Sequence, residues 1–424
     1  MSGVASLSQR FPEGTVNPPT ALEDDTPKEQ RADANDRQPH PVDRQSRRCS
    51  PNVPSAVSVA PSSPSELEIE ALQDAEETRR AETIDRPPDE DEGVRRPVIY
   101  RPYDLPVILL LAPASIFGVL SRLGLQALAS FPGQSVFPLL YVQALGCFIM
   151  GIGLRLKEPL GNFYGPFYTA LTTGFCGSLT TFSSWQLEIF NAWINAGGYP
   201  RSGLYNVSGM FLSVVSLIPL AQAADGIGIS SVTLCMSLGS LAFGYDVASV
   251  ALSRLKFPAF PPWWQRYAIT LLSGLMYIAT ILTYLFLPAR FRHQATAAIL
   301  FSYPGALTRY LLSIALNTRF KILPVGTLTA NILGSGLLAA FHVLQSLNTP
   351  FSSNTCSLLQ GLIDGYCGCL TTVSTFAAEI RDLGWWKACR YAFISWGLGQ
   401  IVMLLVIGPA LWTGSAQDQR TCSF

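Results

Sequence analysis

The sequence predicts an all-α membrane protein built from two inverted four-helix repeats, joined by one linking transmembrane helix and preceded by a disordered tail. Three observations carry that prediction. From Leu105 onward the chain runs in apolar stretches near the length of about 20 residues that crosses about 30 Å of hydrocarbon. The string "GFCGSLTTFSSWQLE", Gly174 to Glu188, returns 191 residues later as "GYCGCLTTVSTFAAE", Gly365 to Glu379. An odd number of stretches separates the two repeats, so the second enters the membrane from the opposite face.

Residues 1–104 are rich in Pro, Ser, Asp, Glu and Arg and nearly free of apolar periodicity. Too little burial is available there to offset chain entropy, so this segment reads as a disordered cytosolic tail. It opens without a basic stretch followed by an apolar one, so no cleavable secretory signal is expected. The apolar spans that follow are 106–130, 136–156, 163–195, 226–252, 264–288, 296–317, 322–346, 356–382 and 388–412. They group into a first repeat, 105–253, a linker with one transmembrane helix, 254–293, a second repeat, 294–413, and a C-terminal tail, 414–424.

A further apolar stretch, 204–222, is ambiguous, and the retention of Lys and Arg in cytosolic loops decides against its crossing. With nine spans and a cytosolic N-terminus, thirteen basic residues flank the inside (Arg95, Arg96, Arg101, Arg155, Lys157, Arg254, Lys256, Arg266, Arg319, Lys321, Arg381, Lys387, Arg390). Four lie outside (Arg201, Arg290, Arg292, Arg420), whereas a tenth span would turn the tally to eight against nine. The tripeptide Asn206–Ser208 then falls outside as a glycosylation acceptor.

The repeat extends beyond the quoted string. "GVLSRLGLQ" parallels "GALTRYLLS", aligning Arg122 with Arg309; "VQALGC" parallels "ANILGS", aligning Gln143 with Asn331 and Gly146 with Gly334; and Ser237 aligns with Ser395. Four landmarks recur in one order, and such self-similarity sets the architecture. In transporters with inverted repeats, function sits at the repeat interface.

Within each string two glycines and two threonines stand at mid-span and disfavour a regular helix, by roughly 0.5–1 kcal/mol per residue. A helix break is expected there, and freed carbonyls at membrane depth are tolerated only where buried in protein, lining a cavity or holding an ion. For one copy alone a small-residue packing seam is the competing reading; two copies in inverted halves favour breaks that meet at one central cation.

With these landmarks the chain resembles the small bacterial fluoride channels of the CrcB or Fluc type and, in its duplicated form, their fused eukaryotic relatives, the FEX fluoride exporters. The resemblance covers about 105–413. It implies a passive, fluoride-selective channel in the plasma membrane that confers fluoride resistance, functional as a monomer because the two halves form an internal pseudo-dimer. It also implies a structural Na+ held by the backbone of Gly177, Thr180, Gly368 and Thr371. Pore phenylalanines map to Phe182 and Trp185 in one repeat and to Val373 and Phe376 in the other. Pairing across the repeats leaves one working pore, lined by Phe182 and Phe376, and one vestigial pathway with Trp185, Val373 and Gln143. Ring edges meet an anion without a trapping cation. Asn331 is expected to donate to fluoride, with Thr327, Tyr391 and Ser395 as a track of hydroxyls. The matching positions of the first half, Leu139, Thr233 and Ser237, are poorer.

Arg122 and Arg309, in apolar spans, read as an electropositive vestibule or as structural anchors. Glu188 and Glu379 are expected on the rim. The nine cysteines show neither zinc spacing nor a disulfide framework and read as small apolar helix residues. A formal net charge of zero gives no footprint for nucleic acid. No phosphate loop or catalytic triad is legible, so an enzyme is not expected. The rival is a proton-coupled transporter of fluoride or another small anion, which needs a titratable residue at mid-depth; a scaffold without transport leaves the repeated string unexplained.

Overall fold

The computed structural model describes residues 100–131, 137–196, 218–251, 260–288, 293–317, 322–349 and 351–422, with a few isolated positions besides. The stretch 204–217, including Asn206, and nearly all of the expected disordered tail lie outside them. Among the described residues the chain is helical, and pairing of extended backbone is confined to one bridge between Leu347 and Ala416.

The helices in order are α1 (Leu105–Ala129), α2 (Pro138–Arg155), α3 (Lys157–Thr169), α4 (Phe182–Ile194), α5 (Ile218–Ala251), α6 (Trp263–Phe286), α7 (Gln294–Asn317), α8 (Val325–Gln345), α9 (Ser353–Gly361), α10 (Ser374–Asp382) and α11 (Trp385–Trp412). Seven of them, α1, α2, α5, α6, α7, α8 and α11, are long and apolar enough to cross a membrane. The two remaining expected spans are cut into shorter pieces. Each has a π-helical stretch, Ala170–Cys176 or Leu362–Cys367, then one helical turn, Gly177–Leu179 or Gly368–Leu370, and then a break.

The halves pack alike. Helix α1 lies on Ala170–Cys176 as α7 lies on Leu362–Cys367, and α2 pairs with α5 as α8 pairs with α11. Beyond the breaks the pieces cross over: α4 packs on α8 and α11, and α10 on α2 and α5. The core therefore sits between the repeats, where Phe182, Trp185, Val373, Phe376 and Tyr391 share one buried cluster. Linking helix α6 leans on α1 and α7 and buries little beyond Thr270 and Ser273. Its remaining apolar surface, including Leu271, Leu272 and Phe286, is exposed, as a lipid-facing helix requires.

One cysteine reading is corrected. Cys356, at the start of α9, and Cys422, in the C-terminal tail, form a disulfide across 66 residues. The tail returns over the end of α8, where Gln417 N–H donates to Ser346 O (2.8 Å) and Thr421 N–H to Gln345 O (3.0 Å). Spacing alone did not reveal the pair because the tail's return brings it together.

Candidate functional site

The site is built from the two breaks. Thr180 and Thr181 are extended (φ −85°, ψ 152° and φ −145°, ψ 125°), as is Thr371 (φ −95°, ψ 151°). A backbone opened in this way at membrane depth needs new partners. Side-chain amides supply them: Thr372 N–H donates to Asn331 Oδ1 (2.8 Å) and Asn331 Nδ2 donates to Thr372 O (3.1 Å). In the first half Gln143 does the same for Thr181, with its Nε2 2.7 Å from Thr181 O and its Oε1 3.3 Å from Thr181 N. Sequence reasoning missed this bracing, although an amide aligned in both repeats beside a break was its signal. Replacing Asn331 by Leu strands both backbone groups of Thr372 in a buried site and is expected to cost about 2–4 kcal/mol, read as a lowered thermal unfolding midpoint in detergent.

The threonine hydroxyls work across the repeats. Neither Thr181 nor Val373, the residues preceding α4 and α10, caps its own helix through its side chain. Instead Thr371 Oγ1 accepts from Ser183 N–H (3.2 Å), and Thr180 Oγ1 accepts from Ser374 N–H (3.1 Å) and Val373 N–H (3.3 Å). Each repeat thus supplies the cap for the other's helix, satisfying donors that would otherwise be orphaned. Short contacts close the cluster: Thr181 Oγ1 to Thr371 Oγ1 (3.1 Å) and Thr180 Oγ1 to Thr372 Oγ1 (3.2 Å).

The arginines are corrected from an open vestibule to buried clamps, 2% and 0% exposed. Arg122 Nη1 donates to Gly368 O (2.9 Å), and its Nη2 to Asp364 O. Arg309 Nε donates to Cys369 O (3.0 Å), and its Nη2 to Thr173 O (2.5 Å). A buried guanidinium is tolerable because carbonyls released near the breaks receive it. Glycine is required beneath each: a Cβ at Gly177 would come within 2.2 Å of Arg309 Nη2, and one at Gly368 within 2.4 Å of Arg122 Nη2.

Beside the crossing stands a column of rings. Phe182 and Phe376 meet edge to face with centroids 5.6 Å apart, Phe376 lies 5.2 Å from Tyr391, and Trp185 lies 5.4 Å from Phe182. Tyr391 OH donates to Glu379 Oε2 (2.6 Å), and Thr327 Oγ1 donates to Glu379 Oε1 (2.5 Å). Glu379 is therefore not on a rim. It is fully buried among the hydroxyls of the expected track, because the end of α10 packs back on α8 and α11 of its own repeat, where Thr327 and Tyr391 receive it. Ser395 Oγ is buried and has no hydrogen-bond partner among the described residues; Thr233 and Ser237, its first-half counterparts in the track, are buried likewise.

A family model for CrcB-like protein, Camphor Resistance (CrcB), matches the chain twice, over residues 109–219 and 296–408. This chain belongs to the CrcB-like family. Among its relatives, fluoride export protein 1 of Neurospora crassa is 30% identical over 70% of this chain, which spans 65% of that relative's length. Fluoride export protein 1 of Schizosaccharomyces pombe is 32% identical over 70% of this chain and 94% of its own. The fluoride-specific ion channel FluC of Chromobacterium violaceum is 46% identical over 19% of this chain and 60% of its own. No solved structure matches.

Each CrcB-like copy contains one arginine clamp, one amide brace and one capping threonine. They differ where rings and track stand: Phe182 and Trp185 against Val373 and Phe376, and Leu139 against Thr327. The polar set around Glu379 belongs to the second copy.

Proposed function

We propose that the chain is a passive, fluoride-selective channel of the plasma membrane that lets fluoride leave the cytosol. The observation that carries this reading is the column Phe182–Phe376–Tyr391, ending on the Thr327–Glu379 hydrogen bond, in a chain whose family relatives are named for fluoride export. Ring edges carry partial positive charge and attract an anion without holding it as a fixed cation would. The N-termini of α4 and α10 meet at the crossing and add positive dipole ends. A desolvated fluoride reaching the track competes with the Glu379 carboxylate for the Tyr391 and Thr327 hydroxyl protons, and finds the unpartnered Ser395 hydroxyl and the second N–H of Asn331 nearby along the helices. Val373 and Gln143 mark the pathway that does not conduct, and Trp185, expected there, packs on Phe182 of the column.

On this reading the halves are inverted repeats, the chain crosses nine times, and it works as a monomer. The Cys356–Cys422 disulfide supports an external C-terminus and hence a cytosolic N-terminus, because disulfides persist in oxidising compartments. A central Na+ fits the donor set: Thr181 and Thr372 give their N–H groups to Gln143 and Asn331, which frees the Gly177 and Gly368 carbonyls from helical bonding. Arg122 takes one lone pair of Gly368 O and leaves the other. Gly177, Thr180, Gly368 and Thr371 would hold the ion through backbone oxygens, and it would supply a fixed positive charge joining the two breaks.

A second reading is proton-coupled anion transport, which buried Glu379 favours by providing a titratable group inside the track. One measurement separates them. Purified protein in vesicles is expected to release fluoride with no imposed pH gradient and to release chloride at least about a hundredfold more slowly. Release that requires a proton gradient would establish coupling, and equal chloride release would overturn selectivity.

A further inference from the structure

At the end of the molecule carrying the C-terminal tail, a cavity of about 420 Å³ opens between the repeats, lined by α1, α4, α7, α8 and the start of the second broken helix. Its floor reaches Ser184, whose Oγ lies 3.4 Å from Thr181 Oγ1 in the hydroxyl cluster at the crossing. The cavity is thus a water-accessible approach to the breaks.

Most of its ionisable groups are acids. Glu188 and Asp364 both line it, and Glu188 Oε2 has no hydrogen-bond partner among the described residues. Asp364 stands where the first repeat has Thr173. Among the described lining residues the one cation is Arg420, and it comes from the tail. The tail holds it in place by the Cys356–Cys422 disulfide on one side and the Leu347–Ala416 bridge on the other. Arg420 Nη1 donates to Gln360 Oε1 (2.9 Å), and Gln360 Nε2 donates to Asp364 Oδ2 (2.8 Å), so one amide ties the guanidinium to the carboxylate.

We propose that the disulfide-pinned C-terminal strap is part of the conduction pathway: Arg420 sets the charge of this vestibule and so the rate at which fluoride passes through it. The inference rests on the fluoride-channel reading. Removing Arg420 takes away the one cation among the described lining residues, and in a cleft between low-dielectric walls such a change alters anion flux by about three- to tenfold at low salt. The effect is screened as the Debye length shrinks. The disulfide then does more than stabilise, since cutting it releases the one cation among the described lining residues.

The test is fluoride release from vesicles holding the full chain, at low and at high ionic strength. Arg420→Glu is expected to slow release about tenfold at low ionic strength and by less than about twofold at high. Arg420→Lys should stay near the unsubstituted rate. Cys422→Ser, or a reducing agent applied from outside, should slow release in the same salt-dependent way. Arg420→Glu release equal to the unsubstituted rate, or a loss that does not change with salt, overturns the inference while the channel reading stands. Unsubstituted protein that releases no fluoride overturns both.

Discussion

Phe376→Ile should lower fluoride release by about a hundredfold or more, while Val373→Ala changes it by less than about threefold. A hundredfold loss corresponds to about 2.7 kcal/mol of barrier, a modest requirement for an anion that loses ring-edge contacts in a medium of low dielectric. Phe376 touches both Phe182 and Tyr391, so its removal opens the column in the middle. Val373 is fully buried in the same cluster, has no ring to offer, and stands next to the capped start of α10. Single-vesicle or bulk efflux of the two variants, normalised to folded protein, decides the matter. Equal losses would mean that both pathways conduct and would contradict the assignment of one working pore.

The second large effect concerns folding. Arg309→Ala should destabilise the protein by about 3–5 kcal/mol, because it leaves the Thr173 and Cys369 carbonyls buried without their charged donor. Gly177→Ala should do comparable damage without touching the arginine, since the added methyl falls on the guanidinium. Gly124→Ala, on α1 with open space around its Cβ, is the control and should be neutral or slightly stabilising. Monodisperse yield and unfolding temperature in detergent are the readouts. A Gly177→Ala protein as stable as the Gly124→Ala protein would mean that the guanidinium does not lie on that glycine.

The sequence made the breaks legible because Gly and Thr at mid-span conflict with helix formation on local grounds alone. The arginines stood out for a similar reason: a guanidinium in an apolar span must have a partner. Naming that partner required the fold, since Arg122 reaches Gly368 across 246 residues. Glu379 was misread as a rim residue because counting along a helix places it near an end, whereas burial depends on where that end goes. Asn331 was read as a donor to the ion, and its first duty proved to be the Thr372 backbone. Cys356 and Cys422 carry no local signal, so their pairing follows only from the tail's return.

The exchanged threonine caps have a consequence for how the two copies can change. Thr180 finishes a helix of the second repeat and Thr371 one of the first, so an error in either copy is felt in its neighbour. Neither half is a self-sufficient unit that could be discarded or replaced whole. The rings also meet across the halves, at Phe182 and Phe376, yet their letters differ between the copies while those of the clasp beside them are the same. The junction is thus common property of both copies, and neither can alter its share of it alone.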